Sequence, residues 1–256
     1  MGMAAKGLFI ASRKGDAKTV RKYLAQGLSP NVNDRDGSTA LMYAAASGRN
    51  NVVKLLIEAN ANLRAHNSIS MTALSYAAYK GHAAVVRSLL VAGAKSESKS
   101  ETAISALMYA SWKGHVHIAK ELLKFRADIN ARDRNGLTPL FYAVIGGKIP
   151  MIQFLIGKRA NIHAKNKDRM TPLTYAAWYG NVEALKMLIK AGAKIDVKSA
   201  LGATPLMYAS WSRRKASVKA LLENDADFAA KDDYGRTALA YAKMPRIKDG
   251  SPIPIR

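Results

Sequence analysis

Apolar residues recur in short stripes at three- and four-residue spacing: Val53, Leu56 and Ile57; Val86, Leu89 and Leu90; Ile152, Leu155 and Ile156; Leu185, Leu188 and Ile189. That spacing places each set on one face of an amphipathic helix. Before each stripe stands a glycine, at Gly48, Gly81, Gly147 and Gly180, with a further one at Gly114, and before that a short apolar segment that opens on a hydroxyl residue. The hydroxyl suits an N-cap, because its oxygen accepts from an orphan helix N–H. Proline follows it in Thr138-Pro139, Thr171-Pro172 and Thr204-Pro205, at the first helical position, where its missing N–H costs nothing. The glycines suit the left-handed backbone that ends a helix. The pattern predicts units of two short helices, neither able to bury its apolar face alone.

The units keep a fixed register. Residues 38–70, 71–103, 104–136, 137–169, 170–202 and 203–235 align at a shift of 33 residues without insertion or deletion. The capping hydroxyl falls at Thr39, Thr72, Ser105, Thr138, Thr171, Thr204 and Thr237, and a leucine follows two residues later, from Leu41 to Leu239. A tyrosine follows again, at Tyr43, Tyr76, Tyr109, Tyr142, Tyr175, Tyr208 and Tyr241. Turn-rich tips such as Asp34-Arg35-Asp36-Gly37 and Asp133-Arg134-Asn135-Gly136 link the units. A period of this length marks a stacked repeat array.

The segments Thr138-Pro139-Leu140-Phe141-Tyr142-Ala143, Thr171-Pro172-Leu173-Thr174-Tyr175-Ala176 and Thr204-Pro205-Leu206-Met207-Tyr208-Ala209 resemble the T-P-L-H-x-A pattern of ankyrin repeats. The resemblance runs from about Lys6 to Ala242. It implies an all-α ankyrin-repeat solenoid of about eight helix-turn-helix units of 33 residues, linked by short β-hairpin loops. One domain over residues 1–256 is expected, with an N-terminal capping repeat at 6–37, six full repeats at 38–235 and a truncated cap and tail at 236–256. The family's histidine is replaced throughout, by Met42, Ser75, Met108, Phe141, Thr174, Met207 and Ala240, which puts its inter-repeat hydrogen bonds in question. Lys6 stands where the first repeat would carry its cap, and Met244-Pro245 ends the last unit before a second helix. Arg213 replaces the turn glycine of the seventh unit, predicting a strained turn or a longer helix there.

The chain offers little reaction chemistry. Without cysteine it has no disulfide, thiolate site or thiol nucleophile. His82 and His115 directly follow turn glycines, a structural position, and His115-Val116-His117 lacks a third ligand nearby in sequence. Phosphate-loop, nucleophile-elbow and zinc-protease motifs are missing. No enzyme, metal or cofactor is expected. No apolar run is long enough to cross a bilayer, so no membrane insertion is expected. Gly2 does not make a myristoylation site, because Lys6 stands where that motif wants Ser or Thr. The lack of thiols, with Met1-Gly2-Met3 resembling a trimmed start, favours an exported or periplasmic chain over the alternative, a cytoplasmic one.

Binding has a clearer address. Ankyrin resemblance implies a concave face lined by the first helices and hairpin tips, varied just before the turn glycine. Two residues before it stand Ala46, Tyr79, Trp112, Ile145, Trp178 and Trp211, so all three tryptophans share one register position. Beside them come Lys80, Lys113 and Tyr179, and before the capping hydroxyl come Met71, Ile104, Leu137 and Met170. One site holding Ala, Tyr, Ile and Trp argues against a shared packing role, so the tryptophans are expected to be exposed and in line. The invariant tyrosines are expected to serve packing between repeats. Lys99, Arg132, Lys165, Lys198 and Lys231 place a cation at consecutive tips, joined by Arg134. With 40 basic against 18 acidic residues, net +22, this row either keeps the tips solvated or steers an acidic ligand inward.

The reading that follows is a protein-binding module, monomeric when free, that sequesters or inhibits another protein with an acidic surface. It is similar to stand-alone bacterial ankyrin proteins, some of which protect the cell from its own secreted hydrolases, including cell-wall peptidases. The alternatives are nucleic-acid binding, through aromatic platforms flanked by cations, and a bacterial effector that docks on host proteins.

Overall fold

The capping hydroxyls start short helices much as their spacing predicts. In a computed structural model of the chain, which describes residues 2–96 and 104–244, Thr39, Thr72, Ser105 and Thr171 accept from the backbone N–H three residues on, at 3.1–3.4 Å. At Thr138, Thr204 and Thr237 the hydroxyl makes no such bond. The residue in the family's histidine position turns back to the same cap. Thr174 Oγ1 accepts from the Thr171 N–H at 3.3 Å, Met108 sulfur does so from Ser105 at 3.3 Å, and the Ser75 and Thr72 hydroxyls share a hydrogen bond of 3.1 Å. In these repeats the lost histidine is thus replaced by local contacts that close the first turn.

The helices fall into two compact units, Met1–Arg134 and Asn135–Arg256. In the first unit, α1 (Met3–Lys14), α3 (Ala40–Ala46), α5 (Ala73–Lys80) and α7 (Ala106–Lys113) are the leading helices of their repeats, and α2 (Ala17–Ala25), α4 (Asn50–Glu58), α6 (Ala83–Val91) and α8 (Val116–Lys124) the returning ones. In the second, α9 (Pro139–Ile145), α11 (Pro172–Tyr179), α13 (Pro205–Trp211) and α15 (Ala238–Lys243) alternate with α10 (Ile149–Gly157), α12 (Val182–Lys190) and α14 (Lys215–Leu222). Within each unit leading helices pack on leading helices and returning on returning, so each unit has two layers. Leu56, Leu89, Leu155 and Leu188 of the predicted stripes are fully buried between them. The only paired extended residues among those described are Asn33 and Thr39.

The ends depart from the register. Helix α1 begins at Met3, three residues before Lys6, and needs no replacement for the capping hydroxyl at that position. Arg213 takes the strained alternative: its φ is 54°, left-handed like that of Gly114 at 82°. Leu239, in the leucine position of the last unit, is 67% exposed. Helix α15 stops at Lys243, and Met244 is extended, as a residue before proline prefers.

The recurring tyrosines do more than pack. Tyr43 donates its hydroxyl proton to Asp34 at 2.6 Å and Tyr241 to Asp232 at 2.6 Å, while Asn67 and Asn166 donate to the hydroxyls of Tyr76 and Tyr175 at 2.9 and 3.2 Å. Each partner lies nine residues earlier, at the hairpin tip, where the second carboxylate oxygen of the aspartates and the amide oxygen of the asparagines accept backbone N–H groups. One side chain so holds the tip's turn and anchors it to the next helix. Burial opposes ionisation of Asp34, but the Tyr43 hydroxyl and the Ser38 and Asp36 N–H groups outweigh it and hold the carboxyl below its ordinary value. The same bond raises the Tyr43 hydroxyl to about 12. A carboxylate with a lowered folded value lends stability above roughly pH 4, the unfolded value, and loses it as pH falls through the folded one. Acid titration of thermal stability should therefore fall less steeply in Asp34→Asn than in the parent. Parallel curves would show that this carboxylate lends the fold nothing.

Candidate functional site

The residues two before each turn stand at the C-terminal ends of leading helices, and the following repeat pins those ends. His115 Nε2 lies 3.3 Å from the carbonyl of Tyr79, His82 Nε2 lies 3.1 Å from that of Ala46, and Arg214 Nε donates to that of Trp178 at 3.4 Å. Because a carbonyl only accepts, each histidine must carry its proton on Nε2. Burial, with His117, Lys113 and His82 nearby, lowers the His115 value against the opposing pull of the Tyr79 carbonyl. The two histidines are structural: His115 fixes the backbone from which Tyr79 projects and His82 that of Ala46, while Arg214 does the same for Trp178.

In the first unit this fixes a compact aromatic and cationic patch. The Tyr79 ring meets Trp112 at 5.8 Å and stands edge-on to Tyr109 at 6.0 Å. The Lys113 ammonium lies 4.5 Å from the centre of Tyr79 and 5.3 Å from that of Trp112, and Lys80 lies 5.5 Å from Tyr79. Trp112 is 39% exposed, Tyr79 is half-buried, and both lysines are exposed. Rings held against one another and a cation held over their faces cost little further ordering when a ligand arrives.

The second unit has a larger, more apolar counterpart. Trp178 contacts Tyr175 at 5.7 Å, Tyr179 at 5.4 Å, Tyr208 at 6.1 Å and Trp211 at 6.4 Å. Tyr179 is 45% exposed and Trp178 half-buried. Ile145 is half-buried on α9. Trp211 departs from expectation. It is only 5% exposed, because it packs in a cluster with Met170, Met207, Tyr208 and Tyr241 against which Ala238 and Met244 also pack. Its indole Nε1 has no hydrogen-bond partner.

The apolar row before the capping hydroxyl also differs from expectation. Met71, Leu137 and Met170 are buried, and Ile104 is half-buried. The cause is local: the tip asparagine four residues earlier accepts the backbone N–H of Met71 at 2.9 Å and of Met170 at 2.8 Å, and these side chains belong to the core. They support the face rather than present it. Of the cationic row, Arg132, Arg134, Lys165 and Lys198 are exposed, with Lys198 donating to the Lys231 carbonyl at 3.1 Å; Lys99 lies outside the described residues.

A description of ankyrin repeats, taken three copies at a time, matches residues 8–100, 107–199 and 146–232. The chain belongs to the ankyrin repeat family. A solved structure of the human ASB11 ankyrin repeat domain is similar over 86% of this chain and 98% of that one, at 26% identity and a TM-score of 0.77. The protein is thus an all-α ankyrin-repeat solenoid, and an ankyrin fold is a protein-binding scaffold. Its helices, in the residues described, include none long and apolar enough to cross a membrane.

Proposed function

We propose that this ankyrin protein sequesters or inhibits another protein, gripping it with the exposed ends of its leading helices. The observation that carries the reading is the patch of Tyr79, Trp112, Lys80 and Lys113, where an exposed ring and a half-buried one are already ordered and two cations flank them. Such preordered aromatic groups beside a charged margin are how interface hot spots are built. The partner carries carboxylates where it meets Lys80 and Lys113, and the chain's net charge of +22 speeds their encounter. Trp178 and Tyr179 form the apolar contact of the second unit. The resemblance to stand-alone bacterial ankyrin proteins supports a self-protection role against a secreted hydrolase, and the patch supports inhibition by covering the partner's surface.

Once a partner is in hand, Trp112→Ala should weaken its binding by about 2 kcal/mol, roughly thirtyfold in Kd. Lys80→Gln with Lys113→Gln should mainly slow association, with a smaller dependence on salt than the parent shows. Surface plasmon resonance reads both. Unchanged Kd in Trp112→Ala would remove the patch from the interface.

A further inference from the structure

The 33-residue register carries a second feature, on the returning helix of each repeat. Arg21 of α2, Lys54 of α4, Arg87 of α6 and Lys120 of α8 occupy one register position, and all are exposed. The second unit continues the position with Gln153, Lys186 and Lys219, also exposed, so no carboxylate stands at any of the seven. Helix formation does not dictate that sign, since glutamate suits an exposed helical position as well as lysine does. Solvation does not dictate it either, because a soluble face needs charge of either kind.

In the first unit α2 packs on α4, α4 on α6 and α6 on α8, so the four cations stand in file. At roughly 8–10 Å between neighbouring helices the file is about 24–30 Å long. Glu121 bridges Arg87 at 3.5 Å but also Lys124 at 2.8 Å, so it does not cancel the row. Arg21, Lys54 and Lys120 enter no ion pair among the described residues. Tyr23, half-buried, is the single Phe, Tyr or Trp within the four helices; the His117 imidazole is exposed on α8, and Phe125, which caps its C-terminal end, is 41% exposed.

We propose that this outer face of α2, α4, α6 and α8 is a docking surface for the phosphate backbone of duplex nucleic acid, separate from the protein-binding patch and indifferent to base sequence. A duplex carries one charge per roughly 1.7 Å of axis, so the file opposes about 14–18 phosphate charges, a density that favours release of counterions. Single strands are held chiefly by successive stacking on exposed rings, and α2, α4 and α6 offer none; His117 and Phe125 stand at α8 alone. Cations alone contact phosphates and position a duplex without reading it.

The test is fluorescence anisotropy of a labelled 20-base-pair duplex across a salt series. Four phosphate contacts predict a slope of log K against log salt near −3.6 from this face. Replacing Arg21, Lys54, Arg87 and Lys120 together by Gln should flatten the slope by about 3.6 and weaken binding at 100 mM salt at least tenfold. Replacing Lys190, Lys194, Lys198 and Lys231 by Gln removes the same charge elsewhere and should weaken it threefold or less. Trp112→Ala should leave it unchanged. Equal losses in the two quadruple variants, binding of polyglutamate as tight as that of the duplex, or no duplex binding at 100 mM salt would overturn the proposal. If circular dichroism shows that the first quadruple variant has lost helix, the pairs Arg21→Gln with Lys54→Gln and Arg87→Gln with Lys120→Gln replace it, each expected to flatten the slope by half as much.

Discussion

Trp211→Ala is expected to destabilise the second unit by about 3–5 kcal/mol, while Trp112→Ala, at the same register position, costs about 1 kcal/mol or less. The difference follows from burial. Trp211 fills a closed cluster with Met207, Tyr208 and Tyr241, and removing it leaves a cavity that short helices cannot fill by shifting. Trp112 keeps over a third of its surface in water and loses mainly its contact with Tyr79. Trp211→Phe separates packing from polarity. It keeps a ring and deletes an N–H that has no acceptor, an arrangement that itself costs about 1–3 kcal/mol, so it should be much milder than Trp211→Ala. Urea unfolding followed by circular dichroism reads all three variants. Equal, small losses in Trp211→Ala and Trp112→Ala would mean that the cluster around Trp211 is open in solution.

Asp232→Ala should cost about 3 kcal/mol, because it strips several partners at once. The carboxylate accepts from Arg236 Nε at 2.7 Å and the Tyr241 hydroxyl at 2.6 Å, and from the backbone N–H groups of Tyr234 and Arg236 at 3.0 and 2.8 Å. Its side chain is wholly buried. Burial alone would raise its carboxyl, but Tyr241 and Arg236 outweigh that and hold it below the ordinary range, so its share of the stability is present at neutral pH. Asp232→Asn should fall in between, keeping an acceptor for the turn but losing the charge facing Arg236. Hydrogen exchange should show faster opening of α13 and α15 in Asp232→Ala. A variant with parental exchange there would contradict the anchoring role.

The repeat architecture was legible because each residue of an array meets the same neighbours as its equivalents. The caps at Thr39, Thr72, Ser105 and Thr171, the buried leucines from Leu41 to Leu206 and the structural role of His82 and His115 follow from register alone. Legibility fails where the neighbours change. Trp211 shares its position with Trp112, yet its cluster takes in Met244, which stands in extended chain after α15 where the equivalent residues of the full repeats are still helical, and so it is buried. Met71 and Met170 mislead for another reason: their exposure is decided by a tip asparagine four residues earlier, a signal visible in the chain once the turn is understood. The bond between each tip residue and the tyrosine nine residues on was equally available, as Asp34 with Tyr43 and Asn67 with Tyr76. The outer row from Arg21 to Lys120 needed only the same 33-residue shift applied to the returning helices.

We propose that the exposed ends of the leading helices hold a partner protein. Affinity capture from the source cell, compared by quantitative mass spectrometry, tests it with three baits: the parent, Trp112→Ala with Trp178→Ala, and Phe228→Ala, whose ring is 74% exposed but lies outside both patches. The expected result is a protein retained by the parent and by Phe228→Ala, depleted at least tenfold on the double variant, and bound by the parent as a purified pair. The same proteins captured equally by all three baits would contradict it.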